Sequence, residues 1–205
     1  MKQVVVIDAG IGNLRSVQKA FEHVGLMPTI THDPALVAKA EAVVLPGVGA
    51  FGDGMHGLRS RRLDTALLDA VERGIPLFGI CVGLQLLFEE SEEMGVHRGL
   101  GLLPGRVIRF PTSLTVPHMG WNQIDQCQSH PLLSGVPDGV FAYFAHSYHV
   151  VTDDESIVVA TTDYGGPFPS VVARDNVWAI QFHPEKSQQA GLSLLQNFVG
   201  SVDQF

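Results

Sequence analysis

The chain has 205 residues, 13 Lys and Arg against 21 Asp and Glu, and a formal charge of −8 at pH 7. At that length one domain spanning residues 1–205 can bury a substantial core. An apolar content of 45% excludes disorder as the main state, and the acidic balance leaves no footprint for nucleic acid or an anionic membrane. Two cysteines, Cys81 and Cys127, are too few for a disulfide framework, and no stretch approaches the roughly 20 apolar residues of a membrane helix. A cytoplasmic location is therefore expected. Charged residues make up 17% of the chain, below the roughly 25% of ordinary soluble proteins, so part of the surface is expected to be covered by a partner.

Short apolar runs alternate with helical patterns in the first half, the signature of βαβ units on a parallel sheet. Residues 4–7 form a β-branched run that reads as a strand buried on both faces. Leu14, Val17, Phe21 and Val24 then share a helical stripe that Gly25 stops. Residues 42–45 read as a second buried strand. Leu63, Ala66, Leu67, Ala70 and Val71 mark a helix ended by Gly74. Residues 77–81 form the next strand and 84–90 the next helix, with the chain reversing at residues 81–83. Glu89, Glu90, Glu92 and Glu93 read as a solvated helix end.

Beyond Gly99 the texture changes to strand-like runs at 106–110, 141–151, 157–161, 170–173 and 177–182, separated by Gly, Pro and Asp. A last helix is expected over 188–202. The fold class is α/β, with a mostly parallel mixed central sheet flanked by helices and antiparallel strands in the C-terminal half.

Gly79-Ile80-Cys81-Val82-Gly83 is the cysteine form of the G-x-S-x-G nucleophile elbow, with the required strand before it and helix after. A nucleophile on so sharp a turn leaves no room for neighbouring side chains, hence the two glycines. The helix start favours thiolate, and the Val82 N–H is placed to meet a developing oxyanion. The plain alternative is a buried structural cysteine between packing glycines. A nucleophilic cysteine needs a base and an orienting group, and His183 and Glu185, just past the strand at 177–182 and fixed by Pro184, supply both. No His or Cys pair has zinc-ligand spacing on one element apart from His146 and His149, so no metal is expected.

Residues 47–52 match G-x-G-x-x-G after a strand, but the acidic positions about 20 residues on, Asp69 and Glu72, fall inside a helical pattern instead of at a strand end. Nucleotide binding is therefore not expected. Such glycines beside the elbow suit an oxyanion hole or a carboxylate.

The run from Gly79 to Gln85, with His183-Pro184-Glu185 roughly a hundred residues later, resembles the triad-type (class I) glutamine amidotransferases. Gly12-Asn13-Leu14, Pro46-Gly47-Val48-Gly49, Pro117-His118-Met119-Gly120-Trp121-Asn122 and His146-Ser147-Tyr148 narrow the likeness to the glutaminase subunits of imidazole glycerol phosphate synthase. The resemblance implies that Cys81 attacks the side-chain amide of L-glutamine, His183 moves the proton and Glu185 holds the imidazole. It implies an oxyanion hole from the N–H groups of Val82, Val48 and Gly49, and a substrate pocket of Gly49, Gly52, Gln85, Ser147 and Tyr148. Ammonia then passes to a (β/α)8 cyclase in a 1:1 heterodimer of histidine biosynthesis, with Asn13, Trp121 and Lys186 at the interface. No cofactor is implied. Ala9 departs from the family pattern, in which Tyr is common, and Cys127 matches no motif.

Other readings stay open on the residues alone. An amidotransferase subunit of another pathway is disfavoured by residues 118–122 and 146–148. A cysteine hydrolase of the peptidase or stress-protein type tends to have His after its nucleophile, where this chain has Val82. A non-catalytic subunit is at odds with the intact Cys, His and Glu.

Overall fold

Four consecutive aliphatic residues, Val4–Ile7, form strand β1, and all four are buried. A strand without an exposed position must be covered on both faces, and the rest of the fold supplies that cover. The computed structural model describes residues 3–202. After β1 come helix α1 (Leu14–His23), β2 (Thr29–Thr31), α2 (Pro34–Val37), β3 (Ala42–Gly47), α3 (Phe51–Ser60), α4 (Leu63–Glu72), β4 (Leu77–Cys81) and α5 (Val82–Leu86). The second half contains β5 (Glu90–Ser91), β6 (His97–Arg98), β7 (Arg106–Arg109), β8 (His118–Gln126), β9 (Val140–His146), β10 (Tyr148–Val151), β11 (Val158–Asp163), β12 (Pro167–Arg174), β13 (Val177–Ile180) and α6 (Gln188–Ser201).

The large sheet runs β2-β1-β3-β4-β13-β12-β11-β8-β9. From β2 to β13 every pairing is parallel, and from β13 to β9 every pairing is antiparallel. The sheet is thus half parallel, where the sequence pattern suggested mostly parallel. A second sheet, β10-β7-β5-β6, packs beside it. Successive residues of β4 show how the faces are covered. Phe78 stacks on Phe198 of α6 at 4.7 Å, whereas a side chain at Gly79 would meet the backbone of α5 at 3.0 Å.

Several boundaries differ from expectation for identifiable reasons. The helix expected over 84–90 starts at Val82 and stops at Leu86, because Glu90–Ser91 pairs with β6 and β7 instead. The run 141–151 is two strands: β9 pairs with β8 in the large sheet and β10 with β7 in the small one, and Ser147 stands at the break. Helix α3 has no legible stripe in the sequence, because Gly52, Gly54 and Gly57 interrupt its periodicity. Gly57 is required by packing, since a Cβ there would lie 1.8 Å from the Ala9 carbonyl oxygen. Strand β8 carries no long apolar run, because only alternate residues face the core.

Candidate active site

Cys81 ends β4 with φ 56° and ψ −112°, a conformation that strains any residue with a Cβ, and α5 begins at the next residue. The flanking glycines are both sterically required. A Cβ on Gly83 would lie 1.7 Å from the Leu45 carbonyl oxygen, and one on Gly79 would lie 3.0 Å from the Ala179 Cβ and the Gly83 carbonyl oxygen. The turn therefore packs against β3 and β13 at once, and the sulfur is held in a fixed place.

Strand register brings the other groups to that place. Gly47 is opposite Cys81 in the β3/β4 pair, so residues 48 and 49 continue past the thiol. Ile180 is opposite Ile80 in the β13/β4 pair, so the residues after β13 run alongside it from the other flank. His183 is buried, and its Nδ1 donates to Glu185 Oε1 at 2.9 Å. The main chain of this turn is tied to β9: His183 N–H donates to the Tyr143 carbonyl at 2.9 Å, and the Ser187 hydroxyl bonds both His183 O and Tyr143 N–H. Burial alone would lower the His183 pKa, but hydrogen bonds to Cys81 and Glu185, with the charge on each, outweigh it and raise the value to about 10. The His183 imidazole thus lies between two acidic groups, Cys81 on one side and Glu185 on the other.

A hollow of about 150 Å³ opens on the sulfur, bordered by Val48, Gly49, Val82, Gln85, Ser147 and Tyr148 among others. Gly52 is not on its border. It lies inside α3, where a Cβ would meet the His97 ring at 3.0 Å. Glu93 does border the hollow and accepts from the Phe51 N–H at 2.7 Å, at the start of α3. This carboxylate was hidden among four glutamates that read as a solvated helix end. The early end of α5 is what turns the segment back toward the site. Gln181, fully buried, has its side-chain nitrogen 3.8 Å from the Cys81 sulfur. His146 Nδ1 donates to the Tyr148 carbonyl, and His149 Nδ1 lies against that of Val150.

The interface positions fall partly together. Trp121 is 47% exposed on β8 and meets Tyr143 of β9 edge to face, and Lys186 Nζ lies 5.4 Å above the same ring. Met119 and Phe141 extend this exposed apolar stripe. Asn13 caps α1, which packs against the Pro184–Lys186 turn. A larger open groove, about 1110 Å³, runs between residues 126–138 and α6. It holds the exposed Cys127, but its histidine, His130, is already committed to the Leu132 N–H.

The family described as Glutamine amidotransferase class-I matches residues 5–202. The chain belongs to the class-I glutamine amidotransferases. Among them it is 56% identical to the imidazole glycerol phosphate synthase subunit HisH of Syntrophotalea carbinolica (strain DSM 2380), over 95% of this chain and 98% of that protein. It is 52% identical to the subunit of the same name from Aquifex aeolicus (strain VF5), over 96% and 95%. Its fold is that of a chain in the structure of PurLQS from Thermotoga maritima, with a TM-score of 0.77 at 21% identity, over 98% of this chain and 99% of that one. As in any class-I amidotransferase, glutaminase chemistry is the activity this α/β scaffold serves.

Proposed function

We propose that this chain is the glutaminase subunit of an imidazole glycerol phosphate synthase of histidine biosynthesis, with Cys81, His183 and Glu185 as its catalytic triad. The observation that carries the reading is the joint placement of a strained Cys81 and a Glu185-bonded His183 at one end of adjacent parallel strands. The Cys81 thiolate attacks the side-chain carbonyl carbon of glutamine, and the electron pair moves to the carbonyl oxygen. N–H groups of Val82, Val48 and Gly49 stabilise that oxyanion. As the C–N bond breaks, His183 gives its proton to the leaving nitrogen and ammonia departs, leaving a glutamyl thioester. Water then yields a proton to His183 and adds to the thioester, and glutamate leaves as the thiolate is restored.

Specificity follows from the polar groups around the hollow. Gln85, Ser147 and Tyr148 bind the substrate, and the Glu93 carboxylate suits its α-ammonium group. Gly49, with φ 125°, allows the peptides of residues 47–49 to reorient, so that a partner can complete the oxyanion hole. The partner is a (β/α)8 cyclase in a 1:1 heterodimer that receives the ammonia, so the assembly is a lyase as well as a hydrolase. The exposed stripe of Met119, Trp121 and Phe141, with Lys186 and Asn13 nearby, suits that docking face. The connection of Tyr143 to both this stripe and the His183 turn ties docking to the triad. A cytoplasmic location accords with the described residues, in which no helix is long and apolar enough to cross a membrane. In the complex, Cys81→Ala is expected to abolish glutamine-dependent synthesis and leave synthesis from free ammonia intact. Equal loss of both would refute the assignment.

A further inference from the structure

Gln181 follows β13, and its backbone N–H is fixed by the Ser170 carbonyl at 2.9 Å. The identity of each polar atom on its side chain is decided by neighbours. A carbonyl only accepts, so Gln85 must turn its amide nitrogen toward the Tyr148 carbonyl, 2.9 Å away. The same nitrogen lies 3.1 Å from the Gln181 side chain, which must therefore present its oxygen there. The Gln181 nitrogen is left facing Cys81 Sγ.

The Tyr148 carbonyl is itself held by a second donor, His146 Nδ1 at 2.8 Å. His146 Nε2 is then the acceptor for His118 Nδ1 at 3.0 Å, and Asn122 donates to His118 Nε2 at 3.2 Å. Burial lowers His118 to about 4 and His146 to about 3, so both rings are neutral with one donor and one acceptor each. Every link from β8 to the sulfur runs from donor to acceptor without conflict.

We propose that Gln181 is a further catalytic residue, whose side-chain N–H, aimed at the Cys81 sulfur by the Tyr148 carbonyl acting through Gln85, stabilises the thiolate. His146 and His118 are positioning residues for that carbonyl. The inference rests on Cys81 being the nucleophile. The other titratable groups around the sulfur are His183, with Glu185 behind it, and Glu93, Tyr148 and His146 at the hollow.

The test is the pH dependence of Cys81 alkylation by iodoacetamide, read by peptide mass spectrometry on the full chain carrying Cys127→Ser. Gln181→Met, similar in shape but without a donor, is expected to raise the midpoint by about one pH unit. It is also expected to lower kcat for glutamine in the complex about tenfold with KM little changed, the scale of one hydrogen bond to a charged group. A purely structural role would lower the melting temperature and leave the midpoint where it was, and a folded Gln181→Met chain with an unchanged midpoint overturns the proposal. The Cys127→Ser parent guards against a variant that fails to fold: its Gln181 side-chain amide resonance should shift with the Cys81 midpoint, and a stationary resonance overturns the proposal equally. A parent chain whose Cys81 takes no label from a glutamine-like diazoketone in the presence of the partner overturns the nucleophile reading itself.

Discussion

Every residue of β1, β3, β4 and β13 is buried, whereas β8 and β9 alternate buried and exposed positions along their length. The parallel half supplies rigidity: its strands are clamped on both faces, and at their ends the backbone of β4 is forced into a conformation that a looser setting would relax. The antiparallel half has a free face. It sends the Ser147 break and the Tyr148 carbonyl into the site on one side and displays Met119, Trp121 and Phe141 on the other. Chemistry that must not move is anchored in the first half. Under the proposed function, recognition and coupling to another protein draw on the second. The His183 turn sits at the seam, following a parallel-paired strand while being bonded to β9.

The division is broken most severely at the seam. Replacing His183 by Asn is expected to lower kcat for glutamine by about 10⁴-fold or more, as loss of a triad member does elsewhere, with the fold intact by circular dichroism. A loss below about tenfold would separate His183 from proton transfer. Next in size is Gly83→Ala. The 1.7 Å approach to the Leu45 carbonyl oxygen leaves no room for the added methyl, and a loss of about 3 kcal/mol or more in denaturant unfolding is expected. Gly200→Ala near the end of α6, where a Cβ meets nothing within 4 Å, should change stability by less than about 1 kcal/mol, in the stabilising direction.

In the antiparallel half, Trp121→Ala should leave the melting temperature of the isolated chain within experimental error and weaken binding of the proposed cyclase partner about tenfold or more in titration calorimetry. The reverse pattern would make Trp121 a core residue. A further effect is a change of slope with pH. His118 and His146 stay neutral when folded down to about 4 and about 3, while the unfolded chain takes up protons below 6.5. Their contribution therefore makes stability fall as pH drops from 6.5 toward 4. His183 acts in the opposite sense: with its value raised to about 10, its stabilisation is complete below 6.5 and lost as pH rises through 10. Urea unfolding of wild type and His118→Asn at several pH values should show a shallower acid loss in the variant.

The two halves also differ in how far the sequence reveals them. β1, β3 and β4 announce themselves as unbroken aliphatic runs, and the elbow glycines are legible because sterics at Cys81 tolerate nothing else. His183 and Glu185 are legible because proline fixes their spacing. Residues 118–126 are opaque, since a strand with one wet face has no apolar run to betray it. Glu93 was obscured because its role depends on where α5 ends, and a five-residue helix gives too few turns for periodicity to mark its end. The histidines of β8 and β9 look unremarkable in one dimension. Only strand pairing, His118 opposite His146, makes them a relay.

The claim that Cys81 is the nucleophile of a glutaminase is tested most directly by covalent labelling. A glutamine-like diazoketone, incubated with the chain and the proposed cyclase partner and followed by peptide mass spectrometry, should place a single label on Cys81 and none on Cys127, with glutamine protecting the site. A label on Cys127, or no label with the partner present, would contradict the account.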